Sequence, residues 1–294
     1  MGEFNSFYKS INNRKFNTWC KYTDRLDTYG CGCQHNCSYC YSKSLLSFRG
    51  LWNPRKPRIA NVSKIRDKMK GFGKHKVIKL GGMTDCFQPI ETKERITYQA
   101  IKILNYYKIH YLIVTKSSLV SNDNYLQVYD KDLAHFQITI TNTNDADCYK
   151  YEKASLASAR IKSIEKLHKL GFDVSIRLSP FIKDNIDLRL LNKIRCNKIL
   201  VEFLKVNHWV KKWFNIDYSD YTLKYGGYEH LQLENKIRLM NNINCFDQVS
   251  VGEYVNEHYI YFRDNVNFNK NDCCNINYTT PRVVNNLQLN LFYN

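Results

Sequence analysis

The chain has 294 residues, 44% of them hydrophobic, and a formal net charge of +17, which allows one large domain or a core domain with an appendage. No run approaches the roughly 20 apolar residues of a membrane-spanning helix, and the opening MGEFNSFYKSINNRKF has no apolar signal-peptide core, so a soluble, cytoplasmic protein with no membrane partner is expected. The 11 cysteines, odd in number and densely clustered, fit metal binding in a reducing compartment better than a secreted disulfide framework.

A first strand is expected just before Cys31, and the cysteine-rich loop follows it. SKIRDKMKGFGKHK (63–76) has helical spacing of Ile65 and Met69, and KVIKLGG (76–82) is a short β-type run ending in glycines. ERITYQAIKILNYY (94–107) puts Ile96, Ala100, Ile103 and Leu104 on one helical face, and YLIVTK (111–116) is an apolar strand. A short helix within 121–132 and a strand HFQITIT (135–141) come next. SLASARIKSIEKLHKLG (155–171) is an amphipathic helix stopped by Gly171, and FDVSIRLSP (172–180) is a strand. IDLRLLNKI (186–194) is a short helix and NKILVEFLKV (197–206) the sixth strand. Apolar strands alternating with amphipathic helices predict βα units around a parallel sheet buried on both faces. The fold class is therefore α/β. Six units make an incomplete (β/α)6 barrel over 1–206, with a doubly wound open sheet as the alternative, and a small α+β cap over 207–294. In that cap the periodicity weakens, a helix is expected at 230–243 and a strand at 246–254. The Asn-rich tail NFNKNDCCNINYTTPRVVNNLQLNLFYN is expected to wrap the surface.

The stretch CGCQHNCSYCYSK (31–43) carries the chemistry. Cys33-x3-Cys37-x2-Cys40 offers three thiolates, enough for three corners of a cubane iron–sulfur cluster, and leaves the fourth iron open for a substrate or cofactor. The competing reading is a zinc clip built on Cys37 and Cys40 with Cys31, Cys33 or His35. A structural zinc site usually completes its ligands with a second close pair, and the nearest candidate pair, Cys273–Cys274, is far down the chain.

With Tyr39 before the third cysteine, this pattern resembles that of the radical S-adenosylmethionine (SAM) superfamily, whose members fold as a partial (β/α)6 barrel with this loop after the first strand. The resemblance covers roughly residues 25–206. It implies that Cys33, Cys37 and Cys40 ligate a [4Fe–4S] cluster, and that the amino and carboxylate groups of SAM chelate the fourth iron. It also implies reductive cleavage to a 5′-deoxyadenosyl radical that takes hydrogen from a substrate, with a reductant such as flavodoxin or ferredoxin supplying the electron. KLGGMTDCFQPIE (79–91), IVTKSS (113–118) and SIRLSP (175–180) look like the branch related to spore photoproduct lyase, often described as DNA-repair-photolyase-like. By that resemblance the backbone at Gly81 and Gly82 meets the SAM amino group, Lys116 contacts the SAM carboxylate or ribose, and Thr139 and Arg177 also reach SAM. One departure stands out. Lyases of that branch have a hydrogen-donating cysteine just after the small residues at the second strand end, where this chain has Met83, whose thioether has no S–H. Cys86, three residues on, is the remaining candidate donor, although a packed thiol is its ordinary reading.

Residues 1–80 hold 17 Lys/Arg against 4 Asp/Glu, and residues 41–80 hold 12 against 1. That asymmetry suits a polyanion, because neutralising phosphates releases counterions. An AT-rich coding sequence, however, also produces a chain rich in Lys, Asn, Ile and Tyr. The aromatic residues Trp209, Trp213, Phe214, Tyr221, Tyr225 and Tyr228 read either as a base-stacking patch or as the core of the cap. Cys31 has no assigned role, and Cys245 with Cys273 or Cys274 is a candidate auxiliary metal pair. The expected function is a radical SAM enzyme acting on a nucleic acid or nucleotide. Alternatives are the same chemistry on a peptide or protein, or a non-catalytic, zinc-stapled nucleic-acid-binding protein. Oligomeric state is not legible.

Overall fold

The structure is a computed structural model that describes residues 4–9, 20–276 and 278. Among these, one eight-stranded sheet organises the chain. Seven strands run parallel: Asp24–Leu26, Val77–Leu80, His110–Thr115, Ala134–Ile140, Asp173–Phe181, Lys198–Phe203 and Gln248–Val251, paired in chain order. Phe7–Lys9 closes one edge antiparallel to Asp24–Leu26. The open, mostly parallel sheet is the α/β framework that the strand–helix alternation predicts.

The central strands are buried along their whole length in Val77–Leu80 and Ala134–Ile140, as expected for a sheet covered on both faces. On one face lie the helices Val62–Lys70, Ile96–Tyr106 and Ala157–Lys169. They place Ile65, Met69, Ala100, Leu104, Ile164 and Leu167 against Ile78, Ile113, Phe136 and Ile138 in a single core. Asn61 starts the first of these helices by accepting from the Ser63 and Lys64 amides, and Gly171, at φ 78°, lets the chain turn back after the third.

Three features differ from the sequence expectations. The strand expected just before Cys31 is divided: Asp24–Leu26 enters the main sheet, whereas Tyr29–Gly30 pairs antiparallel with Arg58–Ile59. The strand expected within the cap, Gln248–Val251, is hydrogen-bonded parallel to Lys198–Phe203 and so extends the main sheet. The tail does not simply wrap the surface. Cys274 and Ile276 are buried with Tyr22, Val77, Leu112 and Leu200 on the sheet face opposite the helices. The Tyr22 hydroxyl donates to Asp272, Lys198 Nζ to the Asn275 carbonyl at 2.9 Å, and the Asn275 amide to Ser250 Oγ at 2.7 Å. The physical reason is that this second face also needs cover, and Cys20, Tyr22, Cys274 and Ile276 supply part of it. The asparagines that look surface-bound satisfy buried polar groups there. Residues 279–294 of the tail lie outside the described residues.

After the sixth parallel strand the chain forms the helices His208–Trp213, Leu233–Met240 and Asn256–Asn265 and a hairpin, Leu223–Tyr225 with Tyr228–His230. The aromatic patch is split between these elements. Phe214 and Tyr221 are core residues, Trp209 packs on Trp213 at the surface, and Tyr225 and Tyr228 surround Tyr254. Among the described residues, no helix is long and apolar enough to cross a membrane.

Val251 is completely buried in the seventh parallel strand. Val251→Asp is expected to cost about 3–5 kcal/mol in urea unfolding, the cost of an uncompensated buried charge. A loss below about 1 kcal/mol, typical of a surface site, would show that this strand lies outside the cooperative core.

Candidate metal and cofactor site

The cysteine loop has little regular structure, so its shape is set by bonds to its neighbours. The Gln34 amide donates to Gln88 Oε1 at 2.8 Å, and Gln34 Oε1 accepts from the Ile90 amide at 2.6 Å. The Ser38 amide donates to the Tyr151 carbonyl at 2.9 Å, and the Lys153 amide to the His35 carbonyl at 2.7 Å. The loop is thereby stitched to segments that follow the second and fourth parallel strands, on the C-terminal edge of the sheet where α/β proteins place their sites. Inside the loop, the Asn36 amide turns back to Cys33 and the Cys40 amide to Cys37.

Cys33 and Cys37 are buried, while Cys40 is half-buried and caps the helix Tyr41–Phe48, whose N-terminal end favours negative charge. Burial pushes the Cys33 thiol up to about 12 and the Cys37 thiol well above the ordinary range. Such thiols ionise when a metal replaces the proton, so the donor set fits a cluster that binds with proton release. Among the described residues, no three His, Cys, Asp or Glu side chains are grouped to hold a single ion. A zinc clip needs four ligands around one ion, whereas a cubane spreads its protein sulfurs more widely. His35, the alternative zinc ligand, faces Asp85 instead, with Nδ1 3.3 Å from the carboxylate. Cys31 sits at a left-handed turn, φ 56°, and its carbonyl accepts from the Asn53 amide.

A charged cluster lies directly against Cys37. Its thiol is 3.8 Å from Glu152 Oε2, which also accepts from the Tyr39 hydroxyl. Glu152 Oε1 accepts from Thr141 Oγ1 at 2.9 Å, from the Cys148 thiol at 2.8 Å and from Arg160, which is fully buried. Burial alone would raise the Glu152 carboxyl, but Arg160, then Lys116 and the hydrogen bonds, overcome it and hold the group at about 2. Lys116 closes the arrangement with its Nζ 5.6 Å from the Tyr39 ring centre.

The glycine turn at the second strand end is fixed by a residue that the sequence patterns did not single out. Asp27 accepts from the Gly82 amide at 2.8 Å and the Met83 amide at 3.0 Å, and Tyr8 donates to the same carboxylate. The Tyr41 hydroxyl donates to the Gly82 carbonyl at 2.7 Å. Gly81 has φ 83° and a Cβ there would meet the Val114 carbonyl, so this position requires glycine, while a Cβ on Gly82 would displace the Tyr8 hydroxyl from beside the turn. Burial raises the Asp27 carboxyl to about 7 against the opposing pull of those amides.

The other expected positions fall as follows. Lys116 is brought to the cysteine loop, and its backbone amide donates to Asp85 at 2.7 Å. Thr139 is buried and lies opposite Arg177 in register. Arg177 pairs with Glu202 and donates to Gln137 Oε1 at 2.8 Å, on the face lined by the polar strand residues. Cys86 is 1% exposed in the helix-side core with Phe87 and Tyr125, enclosed rather than presented to a substrate. Met83 receives the Ser42 hydroxyl at 3.7 Å. Cys273 and Cys274 meet Cys20, whereas Cys245 is exposed elsewhere beside Asn244.

Sequence patterns also missed Asp85, Gln88, Glu152 and Arg160. The first two lie in the quoted TDCFQPIE stretch, where polar residues between turns signal strand-end pins. Asp85 collects Thr115 Oγ1 at 2.7 Å and the Lys116 amide, and despite burial His35 and these donors hold it at about 2. Glu152 and Arg160 carry no local signal, because only the packing of two helices joins them to the loop.

The family model described as the Radical SAM superfamily matches residues 28–191. Among solved structures, spore photoproduct lyase complexed with dinucleoside spore photoproduct is similar at 14% identity and TM-score 0.60, over 82% of this chain and 80% of that one. A mutant of that lyase with bound AdoMet and the dinucleoside is similar at 15% identity and TM-score 0.57, over 82% and 79%. Streptococcus suis SuiB is similar at 12% identity and TM-score 0.53, over 83% of this chain and 55% of its own. No curated protein sequence matches the chain.

Asp27 gives a pH test. Its folded value of about 7 lies above the ordinary 3.8, so its contribution to stability is full below 3.8 and is lost as pH rises through about 7. Asp27→Asn should remove that part of the slope, up to about 1.4 kcal/mol per pH unit, in urea unfolding across the window. Identical pH slopes for the two proteins would contradict the assignment.

Proposed function

Because the chain belongs to the radical SAM superfamily, whose enzymes use a [4Fe–4S] cluster and SAM, we propose that it abstracts hydrogen from a nucleic acid or nucleotide. In this reading Cys33, Cys37 and Cys40 hold the cluster, and Gly81, Gly82, Lys116, Thr139 and Arg177 frame SAM. When bound, the cluster would supply one-electron chemistry for reductive cleavage of SAM. The protein's own part is placement. Asp27 and Tyr41 hold the glycine turn, so that Gly81 and Gly82 present backbone rather than side chain. Asp85 anchors the backbone at Lys116 and so fixes where that ammonium starts. Tyr39, Phe214 and Tyr151 pack edge to face beside the loop and exclude water from Cys37.

One observation carries the proposal: three thiols, two of them buried, are placed at the C-terminal edge of a parallel sheet with Lys116 among them. The nucleic-acid substrate is supported by the basic stretch that begins just beyond Cys40, where Arg49, Arg55, Lys56, Lys64 and Arg66 are exposed. Lys43 extends this face over the Trp213 ring at 4.6 Å. Residues 207–294 are proposed to shape the substrate end, and an acidic one-electron carrier of the flavodoxin or ferredoxin type to reduce the cluster. Reversal of a DNA lesion is not part of the proposal, since Met83 has no S–H and Cys86 is enclosed.

Anaerobic reconstitution should give a brown protein that forms 5′-deoxyadenosine from SAM and dithionite. A colourless, zinc-loaded protein that leaves SAM intact would overturn the class of chemistry. The substrate assignment has a separate check: DNA or RNA affinity should fall steeply as salt rises, with a negative slope in a log–log plot. Affinity indifferent to salt would count against a phosphate-bearing partner.

A further inference from the structure

The Glu152 cluster goes beyond what ligating iron requires. Three neutral hydrogen-bonding side chains would hold Cys37 as firmly. Instead the chain buries a carboxylate against that thiol and pairs it with a guanidinium, both with 0% side-chain exposure. Burying such a pair is costly, and a hydrophobic replacement is often neutral or stabilising, so its presence here suggests a use for the charge itself.

We propose that Glu152 is a positioning residue that sets the reduction potential of the cluster through Cys37, held in place by Tyr39 and Arg160. The inference rests on the reading of Cys33, Cys37 and Cys40 as cluster ligands. Reduction adds negative charge to the cluster, and a carboxylate 3.8 Å from one ligand sulfur opposes it in a poorly screened interior. The groups facing that carboxylate moderate the effect. Arg160 and Lys116 bring positive charge, while Tyr39, Thr141 and Cys148 donate hydrogen bonds. Arg160 is itself anchored by donating to the Thr139 carbonyl at 3.1 Å and the Ser155 carbonyl at 2.7 Å. The carboxylate is therefore held in place, and of the three proposed ligand sulfurs its contact is with Cys37. This is the outer-shell tuning expected around iron–sulfur sites, supplied here by a helix pair remote in sequence from the loop.

The test is an EPR-monitored redox titration of the anaerobically reconstituted wild-type, Glu152→Gln and Tyr39→Phe chains, with iron content measured on each. Glu152→Gln removes the negative charge, keeps an acceptor for Tyr39 and leaves Arg160 uncompensated, so the midpoint potential should shift upward. Tyr39→Phe keeps the ring but removes a donor from the carboxylate, so the potential should shift downward. A purely structural role would alter iron content without these opposed shifts. Full iron content with unchanged potentials in both variants overturns the proposal. If Glu152→Gln takes up no cluster, Tyr39→Phe decides: a downward shift supports the assignment and an unchanged potential overturns it. A wild-type chain that binds no cluster overturns the underlying reading, an outcome distinct from a cluster whose potential ignores Glu152.

Discussion

A loop without regular structure holds its three thiols in place only because its polar backbone groups are claimed by neighbouring segments. Gln34 and Gln88 cross-link it to the segment after the second strand, Ser38 bonds to the last residue of the helix Asp145–Tyr151, and His35 to Lys153 just beyond it. Each bond is worth only about 1 kcal/mol net, but a buried amide left unmade costs more, so the loop has few alternatives. Everything else about the site follows from that tethering. The parallel sheet supplies the edge, the strand-end loops supply the anchors, and the thiols face inward because the backbone has been fixed first.

The electrostatics follow the same logic. The site contains several buried carboxylates, and each has its own donors. Asp27 serves two amides, Asp85 serves Thr115 and Lys116, and Glu152 serves Arg160, Tyr39 and Cys148. Paired in this way the groups act as pins, and truncating one leaves its partners unsatisfied. At Asp27 desolvation outweighs the two amides, the Tyr8 hydroxyl and the nearby Arg25 charge, so the carboxyl is raised. The contrast between a carboxyl held near 7 and two held near 2 follows the strongest partner of each: His35 for Asp85 and Arg160 for Glu152, against the amides of Gly82 and Met83 for Asp27.

Much of this was legible in the sequence, for reasons that can be named. Strands such as VIKL and AHFQITI are largely apolar, with Lys79, His135 and Gln137 among the polar exceptions, because both faces of the sheet are covered. The clustering of Cys33, Cys37 and Cys40 was legible because their spacing is local, and their part as cluster ligands is the proposal made above. Gly81 was legible because a left-handed turn against the Val114 carbonyl leaves no room for a side chain. The seventh strand was visible as a strand but not as a member of the sheet, since pairing between Gln248–Val251 and Lys198–Phe203 is a long-range fact. The tail misled because asparagine reads as surface, yet Asn267 and Asn275 bond buried groups. Glu152, Arg160 and Asp27 were silent because a charged residue on a helix or near a strand end looks solvated until a partner is brought to it.

The account rests on one iron left free of protein ligands by a three-cysteine loop. Electron–nuclear double resonance on the reduced, anaerobically prepared protein with SAM labelled at its amino nitrogen and carboxylate oxygens tests this most directly. The account predicts hyperfine coupling of both labels to the cluster. A cluster that shows no coupling to either, with a fourth side chain of this chain bound in their place, would contradict it.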